Sequence, residues 1–223
     1  MKLSKDTIAK LKNFASINPN LVYDGAGKLK TISEAKNILA SADVDIDKAL
    51  SIYDVNEFLS IVGLIENGDI TINDNHCVVS NNKSKVRYVF ADPNILTSPQ
   101  KDITMPPADY TINLSEEEIS NILKASSTLG HNTLRFEMTE ANTGAIKVVD
   151  STGASKNDYT LSLISSPSVS ESLRFSFDIL INNLKLMAGD YTVYLSSKLI
   201  SKWEGNQANY FIALENTSTF NNN

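Results

Sequence analysis

The sequence predicts an α+β protein made of two β-rich halves that share one order of elements. Three observations predict it. A serine-capped helix opens each half, at Ser4 and at Ser115, and short runs of β-branched and aromatic residues follow each helix. Between the halves lies a segment, Asp92 to Tyr110, that holds four of the chain's six prolines and so reads as an extended connector.

The first helix is expected from Ser4 to Ser16, with Ile8, Leu11 and Ala15 on its buried face. Lys5 and Lys12, seven residues apart, fall roughly 20° from each other around the axis. Lysines beside an apolar stripe read equally well as a solvated helix edge. A second helix is expected from Asp54, its cap, to Ile65, with Phe58, Leu59, Val62 and Ile65 inward and the turn Asn67-Gly68-Asp69 behind it. Strand-like runs surround it at Ala42 to Ile46, Ile70 to Ile72, Cys77 to Val79 and Val86 to Ala91.

In the second half Ser115 and Glu118 form a capping box, and three glutamates sit at the positive end of the helix dipole. Ile119, Ile122, Leu123 and Leu129 are its expected buried face, with Lys124 opposite. Strands are expected at Thr133 to Met138, Ala145 to Val149, Tyr159 to Ile164 and Leu173 to Phe177. A short helix from Ile181 to Met187 then leads through Gly189-Asp190 to strands at Tyr191 to Ser196 and Tyr210 to Glu215. The shared order, with Gly68-Asp69 answering Gly189-Asp190, suggests an internal duplication.

Composition narrows the class. At 223 residues, 42% hydrophobic and 21% charged, the chain is long enough for a proper core and unlike a disordered segment. Its N-terminus lacks the apolar core of a signal peptide and no run reaches membrane-spanning length, so an intracellular protein with no membrane partner is expected. One cysteine, Cys77, leaves neither an intrachain disulfide nor a multi-cysteine zinc site. The net charge of −6 argues against a uniformly basic nucleic-acid binder, yet four lysines against one aspartate between Lys2 and Lys12 make a local basic strip.

Chemistry finds little purchase. His76 beside Cys77 lacks the further ligands zinc demands, and His131 stands at a helix end. Asp43, Asp45 and Asp47 resemble the start of a calcium loop, but Lys48 and Asp54 occupy the places of its glycine and glutamate. No phosphate-binding glycine motif occurs. No enzyme, cofactor or metal is expected.

Three stretches carry a resemblance: Met1 to Asn18 (MKLSKDTIAKLKNFASIN), Ala49 to Leu64 (ALSIYDVNEFLSIVGL) and Lys202 to Glu215 (KWEGNQANYFIALE). They are similar to the N-terminus, the second helix with its lead-in strand, and the C-terminal strand pair of the sliding clamps of T-even-type bacteriophages. The resemblance runs over essentially the whole chain and is looser at 20 to 48 and 140 to 172. It implies two DNA-clamp domains per subunit, 1–109 with the connector at about 92–109, and 110–223. It further implies antiparallel sheets outside and helices lining a homotrimeric ring around double-stranded DNA, held without regard to sequence. The implied partners are a phage DNA polymerase, a clamp-loader ATPase and, in some members, late-transcription factors, all in the cytoplasm of the infected bacterium.

Carried onto this sequence, the lining cations fall on Lys5, Lys12, Lys124 and Lys185, while Ser127 stands where a basic residue is usual. A polymerase-peptide pocket is expected at Ile95, Leu96, Tyr210 and Ile212, residues that equally suit a core. Subunits are expected to join through edge strands, with Val86, Tyr88 and Phe90 on one side and Tyr159, Leu161 and Leu163 on the other. The competing reading is a duplicated β-rich phage structural or assembly protein with no DNA-tethering role.

Overall fold

The computed structural model describes residues 1–140, 143–164 and 173–222. It divides into two units: Met1–Asp102 together with the short segments Lys185–Met187 and Gln207–Tyr210, and the rest of the described chain.

Unit 1 opens with α1 (Lys5–Ala15), where the Ser4 hydroxyl accepts the Thr7 amide as the sequence predicts. The buried face of α1 differs from expectation: Thr7, Lys10, Leu11 and Phe14 are buried, while Ile8 and Ala15 are half-buried. The stripe turns because polar contacts hold it. The Thr7 hydroxyl donates to Asp45, and the Lys10 ammonium bonds Asp6 at 2.6 Å and the Asp43 carbonyl at 2.9 Å. Burying Leu11 and Phe14 contributes about 1.5–3 kcal/mol each.

Strands β1 (Leu21–Tyr23), β2 (Lys28–Ile32), β3 (Ile38–Asp43) and β4 (Leu50–Ile52) follow, β1 pairing β4 and β2 pairing β3, both antiparallel. The alternating strand expected at Ala42 to Ile46 is instead β3, buried continuously from Ile38 to Ala42. Small side chains at Ala40, Ser41 and Ala42 let both its faces be covered, so the two-residue period is lost. Helix α2 (Val55–Leu64) is capped by Asp54, whose carboxylate accepts the amides of Asn56 and Glu57. Of its expected inward residues Phe58 and Ile65 are buried, and Leu59 and Val62 are half-buried. A three-stranded antiparallel sheet of β5 (Asp69–Ile72), β6 (His76–Ser80) and β7 (Lys85–Val89) completes the unit. Met1 exchanges two backbone hydrogen bonds with Ile70 of β5, so the outer side of that strand is partly covered.

Unit 2 begins with β8 (Tyr110–Leu114) and α3 (Glu116–Leu129). The capping box is present in both directions, and Gly130 at φ 69° closes the helix in the left-handed region that glycine favours. Ile119 and Ile122 are buried as expected, Leu129 is half-buried, and Leu123 is exposed, a correction to the inward face. Then come β9 (Thr133–Glu140), β10 (Thr143–Val149), β11 (Tyr159–Ile164) and β12 (Leu173–Leu180).

The helix expected from Ile181 to Met187 is only a 3-10 turn, Ile181–Asn183. Leu180 supplies no capping side chain, and the backbone beyond is engaged elsewhere. Within unit 1, Asn13 donates to the Lys185 carbonyl at 2.9 Å, and the Met187 amide donates to the Tyr210 hydroxyl at 3.0 Å. Strands β13 (Tyr191–Ser196), β14 (Ile200–Gly205), β15 (Asn209–Ala213) and β16 (Thr219–Asn222) end the chain. One sheet of this unit runs β11-β10-β9-β12-β16, and β8, β13 and β14 are neighbours in another. Its core is aromatic, with Phe136 and Tyr191 against Trp203 and Phe177 stacked between Phe175 and Phe220.

Candidate nucleic-acid interface and docking surfaces

Helix α1 sorts its own lysines. Lys10 is drawn inward by Asp6 and the Asp43 carbonyl, which spends its charge on the fold. Lys5, Ala9, Lys12 and Ser16 are exposed along one side, and Lys5 and Lys12 form no ion pair among the described residues. Asp45, which fastens α1 through Thr7, has its carboxyl held below the usual range chiefly by that hydroxyl. An anchor on one face and free ammonium groups on another suit a helix that meets phosphates non-specifically.

Lys124 is exposed on α3 near the exposed Ser127 and Thr128. The Thr128 hydroxyl donates back to the Lys124 carbonyl at 2.8 Å. Lys185 is also exposed, but it lies in irregular chain rather than on a helix, which corrects the expectation of a lysine on a lining helix there. The exposed positions of α2, Asn56, Glu57, Ser60, Gly63 and Leu64, include no cation.

The expected peptide pocket divides. Ile95 ends a 3-10 turn (Pro93–Ile95) capped by Asp92 and is 68% exposed, whereas Leu96 is buried. Tyr210 and Ile212 have no exposed surface at all, which makes them core rather than pocket lining. Tyr210 is fixed in unit 1, where its hydroxyl donates to Asn13 at 2.8 Å. The connector's first residues are pinned in the same unit: the Ser51 hydroxyl donates to the Ala91 carbonyl, and the Thr97 amide donates to Asn20.

Both strands expected at subunit junctions are edges of their sheets, β7 in unit 1 and β11 in unit 2. Their side chains divide differently from expectation. Val86 and Phe90 are half-buried, and Tyr88 is buried, edge-to-face with Phe58 at 5.5 Å between ring centroids. Lys85, Arg87 and Val89 are the exposed residues of β7. Tyr88 therefore serves the core of unit 1, and burial pushes its phenol up. On β11 Tyr159, Leu161 and Leu163 share one half-buried face.

Sequence reasoning missed a cavity of about 280 Å³ in unit 1. It is lined by the end of β1, the turn after it, Lys28 and Lys30 of β2, and Ser98 and Pro99 of the connector. The alternation Lys28-Leu29-Lys30 was its only signal.

Two units of antiparallel sheet and serine-capped helix superpose on solved DNA sliding clamps. A putative DNA polymerase III beta subunit from Eubacterium rectale superposes with a TM-score of 0.68 at 11% identity, covering 98% of this chain and 65% of that one. This chain thus spans about two thirds of that subunit's length. A. fulgidus PCNA, solved with the C-terminal region of FEN-1, superposes with a TM-score of 0.66 at 13% identity, covering 95% and 96%.

The chain belongs to the bacteriophage sliding clamps. It is 33% identical to the sliding clamp of Escherichia phage RB69 over 98% of this chain and 99% of that protein. The family described as gp45 sliding clamp, C terminal, matches residues 111–216.

Proposed function

We propose that this chain forms a homotrimeric ring that encircles duplex DNA and tethers the phage replicative DNA polymerase for processive synthesis. Each subunit contributes two clamp domains, 1–109 and 110–223, joined by the connector at about 92–109. The observation that carries the reading is the partition of cations on α1: Lys10 is consumed by the fold, while Lys5 and Lys12 stay exposed in a chain of net charge −6. Acidic surface elsewhere turns DNA away, and a few screened lysines attract phosphate from any direction without reading bases.

Lys124 adds a third lining charge, and Lys185 a fourth from irregular chain. With Ser127 in place of a cation, topology holds the DNA more than charge does. The ring closes by pairing β7 of one subunit with β11 of the next, which satisfies backbone groups that each edge leaves to solvent. A clamp-loader ATPase opens the ring. The polymerase docks by a short peptide at the connector, with Ile95 as the exposed anchor and Leu96 beneath it. The ring works in the cytoplasm of the infected host and itself catalyses nothing.

Light scattering combined with polymerase extension of primed DNA, with and without a loader, tests the reading. A trimer that lengthens products only when loaded is expected. A monomer that leaves the polymerase unaffected would sink it.

A further inference from the structure

The cavity beside β2 has no part in the reading above. Its walls are rigid for identifiable reasons. The Tyr23 hydroxyl donates to the Ile46 carbonyl at 2.6 Å and accepts the Gly27 amide at 2.8 Å, which fixes the turn after β1. Gly25 and Gly27 both hold φ near 86°, a conformation that a side chain strains. A Cβ on Gly25 would also press within 3.2 Å of the Ala49 amide nitrogen. Asp24 is engaged in its own turn, where its carboxylate accepts the Ala26 amide at 2.9 Å.

Two ammonium groups of β2 line the space, since Lys28 and Lys30 are two residues apart and leave the strand on the same face. Lys30 already holds a carboxylate in the structure. Asp102 of the connector places its carboxylate oxygen 2.5 Å from the Lys30 ammonium, and Asp102 is itself 79% exposed. The Asp102 carboxyl lies below its usual range, first through the Lys30 hydrogen bond and charge, with Lys28 adding to the attraction. A solvent-exposed ion pair contributes little net stability, so this resident carboxylate can be exchanged for another.

We infer that the cavity lined by Lys28, Lys30, Ser98 and Pro99 is a docking site for an acidic peptide segment of a partner protein, with Asp102 as its built-in competitor. An incoming aspartate or glutamate takes the place of Asp102 on Lys30 and gains Lys28 as a second cation, while Val22, Tyr23 and Pro99 offer apolar surface to the flanking residue. Displacement frees the connector from β2 at Asp102, while the Thr97 amide stays bonded to Asn20.

The test uses the full chain without DNA and follows a labelled, capped, aspartate-rich peptide by fluorescence anisotropy, beside its asparagine counterpart. The aspartate peptide is expected to bind and the asparagine peptide not. The double variant K28Q/K30Q is expected to weaken binding by about tenfold or more, K30R to retain it, and D102N to tighten it by roughly threefold or more. All three sites lie at the surface, and unchanged circular dichroism melts confirm that the variants fold. Equal binding of the two peptides, or a D102N variant that binds no more tightly, overturns the inference. Displacement of the peptide by inorganic phosphate at equal concentration also overturns it, marking the lysines as a general anion site.

Discussion

The two units run through the same elements in the same order and part company at the second helix. In unit 1 the run is the segment paired to β5, then α1, β1 to β4, α2 and β5 to β7. In unit 2 it is β8, α3, β9 to β12, a 3-10 turn, β13, β14 and β15 from Phe211 on. The pairings match as well: β1 with β4 as β9 with β12, and β2 with β3 as β10 with β11. Where unit 1 places Asp54 to cap a ten-residue helix, unit 2 places Leu180, with no capping bond, and the helix is lost. One pattern thus tolerates replacement of a helix by a turn, provided the strands on either side keep their partners.

The units also differ in how they bind their central strand pair. β1 and β4 are three residues each and apolar at their buried positions. β9 and β12 are eight each, and Arg135 meets Asp178 across them in a two-bond fork of 2.8 and 2.9 Å. Asp178 is 1% exposed and also accepts the Thr217 hydroxyl, while its backbone carbonyl accepts the Glu215 amide, so this pair ties the chain leading to β16 onto the sheet.

The largest expected effect breaks that difference. Replacing Arg135 with alanine strands a buried carboxylate and is expected to cost unit 2 about 2–4 kcal/mol, read as a lower urea midpoint. No loss would mean that water or Thr217 suffices. Next in size, Asp54→Ala removes the cap that distinguishes α2 and is expected to cost about 1 kcal/mol, with faster amide exchange at Asn56 and Glu57. The converse change, Leu180→Asp, is expected to leave 184–187 non-helical by the same measurement, because Lys185 and Met187 already have backbone partners.

The smallest effect is one of pH. Asp150, after β10, is held at about 2 by the Thr152 hydroxyl and by the amides of Ser155 and Thr152. Its folded value lies below the unfolded one, so its contribution is fully present above about pH 4 and is lost as pH falls toward 2. Titrating the Asp150 carboxyl by NMR checks this; an ordinary midpoint near 4 would contradict it.

What was legible in the sequence was local. Ser4, Asp54 and Ser115 with Glu118 mark helix starts through bonds spanning a few residues, and each stands where the chain says it should. β1, β2 and β8 were not legible. Three residues such as Leu21–Tyr23 carry no period of their own and become a strand only by pairing with Leu50–Ile52, far along the chain. The candidate site divides in the same way. The exposure of Lys5, Lys12 and Lys124 follows from helical spacing, whereas the burial of Lys10, Tyr210 and Ile212 depends on distant partners that no spacing encodes.

The central claim is that α1 and α3 offer their exposed lysines to DNA. The most direct test is processive extension of primed DNA, with loader and at moderate salt, by a chain carrying Lys5→Glu, Lys12→Glu and Lys124→Glu. Shortened products with an unaltered trimer by light scattering are the predicted result. Full-length products from that chain would contradict the account.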